Sequence, residues 1–165
     1  MKAWLRLTLI AMTVGGGFAG FLNTFQALTQ TSDGGPSNFL LAVAFFGLYI
    51  FVFVSGLMFV HDPQRTRPLM GAIAIQIPWI SSPLVVYKFS AGAHAVISIG
   101  GAEKPGNFGI RLLGEGLLGV YWKVALLQDN PWRFGVNVVA LGLLVLILRA
   151  LRTHRYAIRT ETSVA

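Results

Sequence analysis

The chain has 165 residues, of which 55% are hydrophobic and 12% charged, with a formal net charge of +7. Soluble domains carry about 25% charged residues, so this composition excludes an ordinary soluble domain and a disordered chain. The 13 Lys and Arg flank apolar runs and do not form one patch, a distribution that fits membrane sidedness and speaks against nucleic acid as a partner. With no cysteine, disulfides, thiolate metal sites and thiol redox chemistry are excluded as well.

The first apolar segment, about 5–28, follows Lys2 and Arg6. It contains two interleaved small-residue spacings, Gly16-x-x-x-Gly20 and Gly15-x-x-x-Ala19. Small residues four apart let helices approach closely in lipid, so Gly15, Gly16, Ala19 and Gly20 are the expected helix-packing residues. The basic start and Gly17-Phe18-Ala19 also have the layout of a signal peptide; the expectation is an uncleaved first helix. The second segment, 38–60, runs for 23 residues without a charge, enough to cross a core of about 30 Å at roughly 1.5 Å per residue.

The third uncharged segment, 69–87, is long enough to span but carries Gln76, Pro78, Trp79, Ser81, Ser82 and Pro83. Each proline removes a helical N–H and crowds the preceding turn. The pattern predicts a broken helix whose polar residues bond to neighbouring helices or line a polar cavity. Tyr87 and Lys88 read as aromatic and snorkelling anchors at its end. The fourth segment, 132–151, lies between Trp132-Arg133 and Arg149-Arg152, with Trp132 as an interfacial anchor.

With the N-terminus inside, eight basic residues fall on the cytoplasmic side and five outside, leaving net +6 and +1 after their acids. Both termini are therefore expected in the cytoplasm. The 44 residues 88–131 form an extracytoplasmic segment with apolar stretches at 94–99, 108–113 and 117–127, separated by turn-rich GGAEKPGN and GEG. Two or three short β-strands fit this pattern. An interfacial helix also fits, because Arg111, Glu115, Gly119 and Lys123 recur at i+4. Either form is too apolar to stand alone in water, and Ile110, Leu112, Tyr121 and Trp122 are its expected partner-binding residues.

Chemistry is sparse. All six acids lie in loops or tails of this layout, which weighs against proton coupling through a buried carboxylate. His61, His94 and His154 do not share a span, so no haem or other metal is expected, nor any cofactor. No G-x-S-x-G, HExxH or P-loop occurs, and no catalytic residue is assigned. The expected fold is an all-α membrane protein, one polytopic domain over 1–165 with four transmembrane helices and a small outer subdomain between the third and fourth. The expected function is that of a non-catalytic subunit, assembly factor or scaffold of a larger complex in a bacterial plasma membrane. Its expected partners are lipids and other integral membrane subunits or itself. The alternative is a small oligomeric transporter or channel lined by the broken third helix.

Overall fold

The computed structural model describes residues 2–30, 35–101, 108–113, 119–126 and 130–161, with the side chains of 30, 35–38, 101, 108–113 and 154–161 outside that description. Helix α1 (Ala3–Ile10) continues through a π-helical turn (Ala11–Gly15) into α2 (Gly16–Gln30), and α3 (Gly35–His61) returns beside it. The stretches Ala3–Thr29 and Phe39–His61, of 27 and 23 residues, are long and apolar enough to cross a membrane. Helices satisfy their backbone groups within the segment, which is what a hydrocarbon environment demands.

The rest of the chain is not a pair of further spans. Helix α4 (Thr66–Ala74) stops after nine residues and is followed by β1 (Pro78–Ser81), β2 (Val85–Ser90), β3 (Val96–Gly101), β4 (Phe108–Leu113), β5 (Tyr121–Leu126) and β6 (Arg133–Asn137). Helix α5 (Val138–Glu161) closes the chain. The strands form one antiparallel sheet in the order β4-β3-β6-β1-β2-β5. The all-α, four-span expectation is thus corrected.

The expected helix at 69–87 fails for local reasons. Pro78 cannot donate a helical hydrogen bond, yet it is tolerated as the first residue of a strand. The β-branched and aromatic residues of 85–89 favour a pleated backbone, and Ser82 ties the intervening turn. Its backbone N–H donates to the Val85 carbonyl at 2.9 Å, and its Oγ accepts the Val85 N–H at 3.0 Å.

The expected helix at 132–151 begins late because 133–137 pairs as β6 with both β1 and β3. The helix proper then has only 138–148 free of charge before Arg149, too short to cross a core of about 30 Å. The outer segment is not a self-contained meander. β3 and β4 lie at one end of the sheet and β5 at the other, and β5 (Tyr121–Leu126) is a strand where an interfacial helix was the alternative.

Two cores are stacked along the long helices. Leu5 and Leu9 of α1 pack with Phe59 of α3, Leu69 and Ile73 of α4, and Ala140, Leu143 and Ile147 of α5. Further along, Phe45, Tyr49 and Val52 of α3 pack with Phe89 of β2 and with Ala91 just beyond it. One half of the molecule is therefore a helix cluster and the other half is helix on sheet. The N-terminus and the turn after His61 sit at the same end, where an Arg6 guanidinium nitrogen reaches the Val60 carbonyl at 3.4 Å.

Candidate functional site

Side chains alternate between the faces of a strand, and the register extends that alternation across the sheet. Tyr87, Phe89 and Trp122 lie on one face, beneath α3, with ring centroids 5.9, 5.7 and 5.5 Å from that of Phe45. The same face continues beyond α3 onto β6 and β3. There Ile97 stands opposite Val136 and Ile99 opposite Phe134, and all four are exposed, Phe134 by 57% and Ile99 by 50%. β4 extends the face further, with Leu112 in register with Ile97 and Ile110 with Ile99. The side chains of Ile110 and Leu112 lie outside the described residues.

The opposite face is polar and basic. Trp79 stacks on Tyr121 with centroids 5.3 Å apart, and His94 packs against both rings at 5.4 and 5.7 Å. His94 is buried. The Lys88 ammonium lies 5.7 Å from the Trp79 ring centroid, within cation–π range. Beside this cluster is a cavity of about 220 Å³ whose walls include Trp79, Ser81, Ser98, Lys88, Lys123 and Arg133. The Trp79 indole N–H is buried and has no acceptor among the described residues.

The residues expected to line a broken helix are divided among several structural roles. Gln76 is buried just beyond α4. Its Nε2 donates to the Ala72 carbonyl and its Oε1 accepts the Ala91 N–H, both at 2.8 Å. Pro78, Trp79 and Ser81 belong to β1, with Trp79 and Ser81 on the cavity side, while Ser82 and Pro83 form the turn to β2. The polar break is a helix-to-sheet junction and not a kink in a span. The Tyr87 hydroxyl donates to the Ile75 carbonyl at 2.7 Å in the same junction, and burial pushes it up to about 12.

The small-residue spacings separate cleanly. A Cβ at Gly16 would lie 2.6 Å from the Ala91 carbonyl carbon, and Gly20 receives the Tyr49 ring. Gly15 and Ala19 are exposed, and a Cβ on Gly15 would meet nothing within 4 Å. Of the expected partner-binding aromatics, Tyr121 is stacked on Trp79. Trp122 packs on Phe45, and its indole N–H donates to Asn23 Oδ1 at 3.3 Å. Both have neighbours within the chain.

Sequence reasoning did not single out Ile97, Ile99, Phe134 and Val136 as a group, nor the convergence of Lys88, Lys123 and Arg133. The alternation in 96–99 was visible, but the pairing that brings β6 beside β3 was not. Comparison with known proteins adds one partial likeness. The chain is 39% identical over 80 residues to inositol transporter 4 of Arabidopsis thaliana. That match covers 44% of this chain and 14% of the transporter's length. No family model matches the chain, and no solved structure matches it. Two helices apolar enough to span, together with a partial likeness to a membrane transporter, point to membrane association.

Proposed function

We propose that the chain is a small, non-catalytic integral-membrane subunit, assembly factor or scaffold of a larger complex in a bacterial plasma membrane. In this reading a second integral-membrane protein covers the β6–β3–β4 half of its sheet. The observation that carries the reading is the exposed apolar quartet Ile97, Val136, Ile99 and Phe134, continuous with the face that α3 already covers.

Depth supports a protein cover over a lipid one. The contacts of Gly16 with the 91–92 backbone, of the Tyr49 hydroxyl with the Ser90 carbonyl and of Trp122 with Asn23 lay the sheet along the farther halves of the two long helices. If those helices span a bilayer, the sheet lies at hydrocarbon depth. β4 and β5 are its outermost strands, and among the described residues no strand pairs with their outer edges. Open edges in lipid leave N–H and C=O groups unsatisfied at several kcal/mol each, and a partner chain removes that penalty.

The test is native mass spectrometry of the chain released from its own membrane in lipid nanodiscs, for the parent and for an Ile99→Thr/Phe134→Thr variant. A foreign subunit bound at fixed stoichiometry to the parent and lost from the variant is the expected result. A monomer, or a foreign subunit indifferent to the substitutions, rejects the reading. The partial likeness to a transporter favours a second reading, a small oligomeric transporter or channel. A clean homo-oligomer in the same measurement would select it, although Gln76 is engaged at both ends of its amide and a polar lining would have to come from elsewhere.

A further inference from the structure

Four helix ends meet at one pole of the molecule. Leu5 near the start of α1 packs with Phe59 near the end of α3, Leu69 near the start of α4 and Ile147 of α5. The basic residues beside these positions in sequence are thereby gathered together. Lys2 and Arg6 stand at the start of α1, Arg65 and Arg67 at the start of α4, and Arg149 and Arg152 on α5, and all six are exposed. Against them is one carboxylate among the described side chains, Asp62, which pairs with Arg65 at 3.3 Å. Arg6 reaches the Val60 carbonyl. The side chains of Lys2, Arg67, Arg149 and Arg152 have no hydrogen-bond or ion-pair partner among the described residues.

Two further observations indicate what these cations face. Helix α4 has no side-chain cap and no acidic residue in its first turn. The positive end of a helix dipole favours an anion, yet it carries Arg65 and Arg67, so the compensating charge has to come from outside the chain. The second observation is the surface immediately beside the cations, which is apolar. Trp4 and Leu7 of α1, Leu57 and Val60 of α3 and Leu148 of α5 are exposed. Trp4 and Leu7 interleave with Lys2 and Arg6, Leu148 precedes Arg149, and Val60 offers the carbonyl that Arg6 meets. The α1 and α3 members belong to the ends of the two stretches able to cross a membrane. A border of cations against exposed apolar side chains, with a tryptophan on it, matches the step from headgroup to hydrocarbon.

We infer that this pole binds the headgroups of anionic phospholipids. Phosphodiester oxygens accept from the Arg67, Arg149 and Arg152 guanidinium groups, whose fork geometry suits them, and from the Lys2 ammonium. The acyl chains run over the neighbouring Trp4, Leu7 and Leu57. An acidic protein or a nucleic acid in solution would match the charge but leave the apolar border uncovered. The inference is independent of which protein covers the apolar sheet face, because that sheet lies along the farther halves of the long helices.

The full chain is placed in nanodiscs of equimolar phosphatidylglycerol and phosphatidylcholine, and native mass spectrometry counts each lipid retained on release. The parent should retain phosphatidylglycerol over phosphatidylcholine by about tenfold or more, since basic residues near an anionic surface each add attraction, and added salt should weaken the preference. Lys2→Gln/Arg67→Gln and Arg149→Gln/Arg152→Gln should each reduce it, and the combined variant should abolish it. Arg67→Lys/Arg149→Lys/Arg152→Lys, which keeps the charge, should preserve most of it. In discs of phosphatidylcholine alone the combined variant should melt no lower than the parent, because it breaks no bond within the chain and relieves the start of α4. Should it melt lower, the two double variants carry the same test. Equal retention of both lipids by the parent, or a preference that the neutral variants leave unchanged, overturns the inference.

Discussion

The Gln76 side-chain amide accepts the Ala91 N–H at 2.8 Å while donating to the Ala72 carbonyl at 2.8 Å, so one buried side chain joins the end of α4 to the residue after β2. The bond explains how a nine-residue helix can end inside the molecule, where its last carbonyls have no water. Replacing Gln76 by Leu leaves the Ala91 N–H buried without an acceptor. The expected loss is about 1–3 kcal/mol, read as a lower unfolding midpoint in mild detergent. A variant as stable as the parent would show that the amide link is dispensable.

The two interleaved small-residue spacings of the first long helix should respond in opposite ways. A methyl group on Gly16 would press within 2.6 and 2.7 Å of the Ala91 carbonyl carbon and the Gly92 Cα, and backbone cannot swing aside as a side chain can. Gly16→Ala is expected to lower stability by about 1–3 kcal/mol, the range for overpacking a closed contact. Gly15→Ala meets open space, so it should be neutral or gain up to about 1 kcal/mol from helix propensity. Thermal melts of the two variants side by side check the contrast, and equal effects would refute it.

What the amino-acid order revealed and what it concealed divides along physical lines. The runs around 5–28 and 38–60 are legible because hydropathy over a long uncharged window depends on composition alone. The run 69–87 is also uncharged, but its fate depends on Pro78, on the Ser82 turn and on a hydrogen bond from a backbone N–H beyond β2 to the Gln76 side chain, none of which a hydropathy window registers. Gln76, Trp79 and Ser81 stand out as unusual in an apolar run, yet their setting is a sheet junction. Lys88 in isolation looks like an anchor at the end of a helix. Only the register that sets it opposite Lys123 gives it another meaning, and long-range strand pairing leaves no local trace.

Asn137 shows the same point at the other junction. It is the last residue of β6, wholly buried, and its Oδ1 accepts the N–H groups of Ala95, Val139 and Ala140 at 3.3, 3.2 and 3.5 Å. It therefore caps α5 at the point where strand becomes helix, satisfying donors that have no intrahelical acceptor. Asn137→Ala should cost about 1–2 kcal/mol from the lost cap, with faster hydrogen exchange confined to the first turn of α5 and to Ala95. Uniformly unchanged exchange at those amides would argue against the capping role.

Tyr87 gives the fold an alkaline limit. Its hydroxyl donates to the Ile75 carbonyl at 2.7 Å, and burial raises it from 10.0 to about 12. The folded chain thus keeps a proton that the unfolded chain releases above pH 10. The stabilisation is complete below pH 10 and is lost as the pH climbs to about 12. Tyr87→Phe removes the hydrogen bond, costing about 1 kcal/mol at neutral pH, but it also removes the group whose ionisation drains stability. A shift of this size outweighs the hydrogen bond, at about 1.4 kcal/mol per pH unit, so the parent should lose its advantage over Tyr87→Phe between pH 10 and 12 and then fall below it. Curves that stay parallel over that window would show that the hydroxyl does not titrate against the fold.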